Sequence, residues 1–147
     1  MKTIKKISIF AIILFSMQIN ATAQCSSFTK NECMPKLSPY IYNGQMNNAV
    51  LSEGDIAELM LVFYGNQNYR IVVCGDKNIG DVNFKLKNNN GKTIFTNTDH
   101  NMVDHWDFNV KSTQQLTVEV SVPQSSSKDN DSYKSGCVSI LVGFSQK

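Results

Sequence analysis

Charge is scarce in this chain: 18% of its 147 residues are charged, against about a quarter in ordinary soluble proteins, and Arg70 is its one arginine. Without a dense lysine cluster either, it lacks the electrostatic footprint of a nucleic-acid binder or an anionic-membrane binder. Proline is equally sparse, with three residues beside eight glycines, which excludes a collagen-like repeat or a disordered linker. Histidine occurs only at positions 100 and 105, no serine sits in a Gly-x-Ser-x-Gly turn, and there is no Cys-x-x-Cys. Local signatures for nucleophilic hydrolysis or dithiol redox chemistry are therefore missing, and no enzyme is expected. The length suits one core and is too short for two comfortable domains.

What is present begins with a three-part leader. Lys2, Lys5 and Lys6 precede an apolar run from Ile7 to Met17, and Ala21-Thr22-Ala23 then supplies small residues at a cleavage position. Residues 1–23 are expected to be a secretory signal peptide, because the run falls well short of the ~20 residues that span a bilayer. Gln24, rather than a small residue, precedes Cys25, which sets ordinary cleavage above lipidation. Loss of the leader removes three lysines and leaves eleven basic against twelve acidic residues, a net charge of −1 rather than +2. The exported chain, periplasmic or extracellular, keeps no transmembrane segment.

Four cysteines remain, Cys25, Cys33, Cys74 and Cys137, and an even count in an oxidising compartment reads as two disulfides. Their spacing contains no close ligand pair of the zinc-site kind. Of three possible connectivities, Cys25–Cys33 with Cys74–Cys137 is the expected one: Cys74 ends a strand and Cys137 opens one, each on the less apolar phase.

Residues 24–48 form a polar lead-in broken by Pro35, Pro39 and Gly44. A single domain over 49–147 follows. The run Ile56 to Tyr64 fits a helical stripe or a strand, and its flanks, Gly54 before it and Gly65-Asn66-Gln67-Asn68 after, favour a strand in a hairpin with Tyr69 to Cys74. Val82, Phe84 and Leu86 alternate with polar residues, Asn90-Gly91 suits a turn at positive φ, and Thr93 to Thr96 returns. Trp106, Phe108 and Val110, then Leu116, Val118, Val120 and Val122, alternate in the same way. A polar loop covers 124–135, and Val138, Ile140, Val142 and Phe144 close the chain. Seven or eight strands without a convincing helix predict an all-β antiparallel β-sandwich of the jelly-roll or Ig-like kind.

The order Tyr69-Arg70-Ile71-Val72-Val73, Gly80-Asp81-Val82-Asn83-Phe84-Lys85-Leu86 and Asn90-Gly91-Lys92-Thr93-Ile94-Phe95-Thr96-Asn97 resembles the bacterial pre-peptidase C-terminal domain family, over about residues 59–122. The resemblance implies a β-sandwich accessory to secreted peptidases, without catalysis of its own and in some cases holding calcium in acidic loops.

Three sets of residues stand out as candidate sites. Asp76, Asn78 and Asp81 offer calcium-type oxygens, with polar turn chemistry as the competing account. Asp99, His100, Asn101, Asp104 and His105 could ligate a transition metal, but imidazoles five residues apart point to opposite sides of a strand. Tyr40, Tyr42, Tyr64, Tyr69, Trp106 and Tyr133 could furnish a peptide or glycan platform, with Trp106 read as core. The function expected is a secreted, non-catalytic β-sandwich module that binds a protein or glycan or serves a structural role in the cell envelope. The alternatives are an inhibitor of an extracellular enzyme and a metal-dependent hydrolase.

Overall fold

Two antiparallel sheets face one another in the computed structural model of the chain, which describes residues 21–124 and 134–146. Most of the expected leader, Tyr133 and most of the 124–135 loop lie outside the described residues. The chain opens with a helical strap: α1 (Ala21–Phe28), a π-helical turn (Thr29–Cys33) and a 3₁₀ turn (Met34–Leu37). Nine strands follow: β1 (Ile41–Tyr42), β2 (Asn47–Ser52), β3 (Ile56–Phe63), β4 (Gln67–Gly75), β5 (Asn83–Lys87), β6 (Thr93–Thr96), β7 (His105–Val110), β8 (Gln114–Ser121) and β9 (Ser135–Gln146). One sheet has the order β1-β9-β4-β7, with β2 pairing farther along β9; the other has the order β3-β8-β5-β6. The expected all-β sandwich is what the chain forms.

Alternation explains the layers. Tyr69, Ile71 and Val73 of β4 and Val138, Ile140 and Val142 of β9 point inward to meet Phe63, Phe84, Leu86, Leu116, Val118 and Val120 of the facing sheet. The Asn-Gly hairpin forms as read. Gly91 sits at φ 74°, and Asn88 Oδ1 accepts from the amides of Asn90 and Lys92. Asn97, fully buried, closes the far end by accepting from the Phe84 amide and donating to the carbonyls of Val82 and Val103.

Three expectations are corrected. The strands 56–63 and 67–75 are not a hairpin: β3 pairs with β8, β4 pairs with β7 and β9, and the connection between them crosses from sheet to sheet. Gly65 makes this corner possible, since a Cβ there would stand 2.9 Å from the Lys111 carbonyl oxygen in the neighbouring β7–β8 corner. Asn66 adopts φ 64° and donates to the Val110 carbonyl at 2.7 Å, which ties the two corners together.

The lead-in, expected to be irregular, instead contains the strap. It covers the outer face of the first sheet, where Cys33 and Leu37 pack with Val72, Cys74 and Leu141. Gly143 lets it approach, because a Cβ at that position would lie 2.7 Å from Tyr40 Cβ.

The disulfide also differs from expectation, joining Cys25 to Cys137. The register places Ser139, not Cys137, opposite Cys74. Cys25 and Cys33 stand about two helical turns apart, roughly 12 Å at the usual rise, too far for a bridge. Cys33 and Cys74 are thiols, both buried.

Candidate functional site

The run Ile56-Ala57-Glu58-Leu59-Met60-Leu61-Val62-Phe63-Tyr64 is apolar on both phases of a strand. One phase, Leu59, Leu61 and Phe63, joins the core. The other leaves Ile56, Met60, Val62 and Tyr64 with 66%, 68%, 55% and 63% of their surface exposed. Single exposed apolar residues are ordinary, but three on one strand and a fourth just past its end form a patch.

β3 is also an edge. Among the described residues it pairs only with β8, and the Val122 amide donating to the Asp55 carbonyl sets the phase of the ladder. By antiparallel alternation Ala57, Leu59 and Leu61 turn their amides and carbonyls toward β8, so those of Glu58, Met60 and Val62 face outward. At the end of the strand the Tyr64 amide is taken by the Tyr69 hydroxyl at 2.9 Å. Proteins blunt such edges with lysine, proline or a bulge. β3 has none of these, and Glu58 is its one charge.

Beside this edge the sandwich is open. A cleft of about 610 Å³ separates β3 from the β1–β2 connection, floored by Leu61, Phe63, Val142 and Phe144 and rimmed by Asn43, Gln45 and Gln67. Apolar floor, polar rim and free strand edge lie within one surface. Behind it, on the outer face of the second sheet, Glu58 and Glu119 are cross-strand neighbours. Lys87 bridges them and Lys85 adds a second contact to Glu119 at 3.1 Å. These lysines, Lys87 first, hold the Glu119 carboxyl below its usual range. The cluster is neutral overall, so the patch carries no strong field of either sign.

The residues singled out from sequence go elsewhere. Asp76 is a turn carboxylate: Oδ1 accepts from the Asn78 amide and Oδ2 from the Cys137 amide, each at 2.8 Å. Its oxygens are thus aimed at backbone rather than converging with Asn78 and Asp81 on a cation. Among the described residues no group of three His, Cys, Asp or Glu side chains could hold a metal ion. His100 stacks on Phe95 with ring centroids 5.0 Å apart, while His105 lies 2.9 Å from Asp104, whose other oxygen takes Lys36. Asp104 thus meets one imidazole, but among the described residues Asp99, His100, Asp104 and His105 form no cluster of three that could hold a metal ion. Trp106, read as core, is half-buried between Phe95 and Phe108, 4.6 Å from each. Tyr40 lies under the Arg70 guanidinium, Tyr42 packs against the strap and Tyr69 is buried, which leaves Tyr64 as the fully exposed member of that set among the described residues.

The β3 surface was missed in the sequence, yet its signal was there. A nine-residue run apolar in both phases needs a cover on both sides, and only one side can be the core.

No family model matches this chain, and no curated protein matches it in sequence. Among solved structures it is similar to PliG of Aeromonas hydrophila, a periplasmic inhibitor of g-type lysozyme, with a TM-score of 0.51 and 13% identity over 73% of this chain and 89% of that one. At that identity the likeness is one of fold.

Proposed function

We propose that this protein is an exported, non-catalytic β-sandwich that binds an extracellular enzyme and inhibits it. The observation that carries this reading is the free, apolar β3 edge beside the cleft. An edge of this kind accepts an extended segment of a partner by strand addition, with backbone hydrogen bonds at Glu58, Met60 and Val62 and apolar contact at Met60, Val62 and Tyr64. Further support comes from the fold shared with a lysozyme inhibitor, from the leader pattern at residues 1–23 and from the Cys25–Cys137 disulfide, a bond at home in an oxidising compartment. The histidines, held in a ring stack and beside a carboxylate, are better explained as structural groups than as catalytic bases. A protein partner suits this surface better than a glycan, since one exposed tyrosine among the described residues makes no sugar platform.

Lytic glycosidases that cleave cell walls are the first enzymes to test, followed by secreted peptidases. The chain from Gln24 onward, titrated against goose-type and chicken-type lysozymes on cell-wall suspensions, should inhibit one class at a 1:1 ratio. Met60→Lys with Val62→Lys should weaken that inhibition by roughly 100-fold, the size expected for losing two central apolar contacts, with the melting temperature held. Absence of inhibition and of any complex at about 10 μM across both enzyme classes, weaker than a standard interface gives, would refute the reading. So would inhibition indifferent to the double substitution.

A further inference from the structure

The strap meets the first sheet through a stripe of residues four apart, Cys25, Thr29 and Cys33, and each has a partner beneath it. Cys25 is bonded to Cys137, and Thr29 Oγ1 lies 2.6 Å from Ser139 Oγ. Cys33 packs in one buried cluster with Cys74, which stands opposite Ser139 in the β4–β9 ladder. Both are buried, Cys33 entirely and Cys74 at 5% exposure, in a pocket closed by Leu37, Val72 and Leu141. Two thiols packed together, one helical turn from a buried threonine–serine pair and two turns from an existing disulfide, share their neighbour's geometry and its redox surroundings.

We propose that Cys33 and Cys74 are joined as a second disulfide in the oxidised protein, so that the strap is bolted to the sheet at both ends of the stripe. The oxidant is a disulfide-bearing molecule, R–S–S–R, such as an exported dithiol oxidase or oxidised glutathione. Cys33 as thiolate attacks one of its sulfurs and expels the first RS⁻, leaving a mixed disulfide. Cys74 loses its proton to solvent and attacks the Cys33 sulfur, expelling the second RS⁻. The two expelled thiolates take up the two protons, so two protein thiols become one disulfide and R–S–S–R becomes two R–SH. Because both sulfurs are buried in the native fold, the exchange runs before the strap docks on β4 and β9.

The test is made on protein recovered from an oxidising compartment, denatured without reductant and alkylated with iodoacetamide. None of the four cysteines should be labelled, and peptide mapping should recover Cys33–Cys74 beside Cys25–Cys137. The Cys25→Ala, Cys137→Ala double variant should retain one bridge, Cys33–Cys74, also in material refolded with oxidised glutathione. Two labelled thiols at Cys33 and Cys74, or either cysteine linked to any other partner, would overturn the proposal.

Discussion

Arg70→Lys keeps the charge and tests whether the sole arginine is a mechanical clamp. The Arg70 Nε and Nη2 donate to the two Asp107 oxygens at 2.6 and 2.7 Å, while Nη1 donates to the carbonyls of Ser38 and Lys36 at 2.6 and 3.1 Å. Its carbon Cζ also sits 4.9 Å from the Tyr40 ring centroid. A lysine ammonium reaches the carboxylate or the carbonyls, but its compact charge lacks the planar fork that serves both. The Asp107 side chain is 41% exposed, so losing bidentate pairing there costs only about 0.5–1 kcal/mol. The abandoned carbonyls and the ring contact add about 1–1.5 kcal/mol. The sum, about 2 kcal/mol, corresponds to a melting temperature lower by roughly 5–10 °C. Urea denaturation followed by circular dichroism measures it, and hydrogen exchange locates it, with faster exchange over residues 36–43 and unchanged β4 and β9 amides. The Arg70 guanidinium holds the Asp107 carboxyl below its usual 3.8, so this contribution is complete above that value and is lost as the pH falls through the lower folded one. The gap between wild type and variant should therefore narrow in acid to the roughly 1–1.5 kcal/mol that the carbonyls and the ring contribute, because neither titrates there. A stability change under about 0.5 kcal/mol, or protection lost evenly across the sheet, would refute the clamp.

Asn97→Ala strips partners from the Phe84 amide and from the Val82 and Val103 carbonyls at a fully buried site. It should destabilise the fold by about 2–4 kcal/mol, read as a lower urea midpoint. Asp76→Asn should lower the melting temperature by the same few degrees with calcium or with a chelator, because the carboxylate serves the Asn78 and Cys137 amides. A calcium-induced rise of several degrees in the wild type that Asp76→Asn abolishes would contradict that assignment.

Strand phases were legible wherever one face is wet. Val82 to Leu86, Trp106 to Val110 and Leu116 to Val122 read correctly because polar residues mark the outer phase. The inward phases of β4 and β9 were legible too, and what was missed there is the cover over their other, equally apolar face. Ile71-Val72-Val73-Cys74 and Val138-Ser139-Ile140-Leu141-Val142 lie in β4 and β9 between the core and the strap, so Val72 and Leu141 signal a cover that alternation alone does not identify. The strap escaped notice for the complementary reason. Its anchors are Cys25, Thr29, Cys33 and Leu37, a four-residue spacing on which only the last is conventionally hydrophobic. The disulfide pairing needed the register, since Cys74 and Cys137 share a sheet face yet sit two positions out of line. The β3–β4 connection misled because a short glycine-containing link serves a hairpin and a sheet-to-sheet corner alike.

The position of β9 has a temporal consequence. It is the centre of the first sheet, hydrogen-bonded to β1, β2 and β4, and it emerges after all the other strands. A nascent chain ending before residue 135 has synthesised every partner of that sheet and can assemble almost none of it. The Cys25 thiol must wait 112 residues for Cys137, long after Cys33 and Cys74 have become available to it. Folding dominated by such distant pairings is slow. The first sheet is therefore completed last, and until then Cys25 has Cys33 and Cys74 as its available partners. An isomerase that reshuffles early disulfides should accelerate its maturation far more than one that merely forms them.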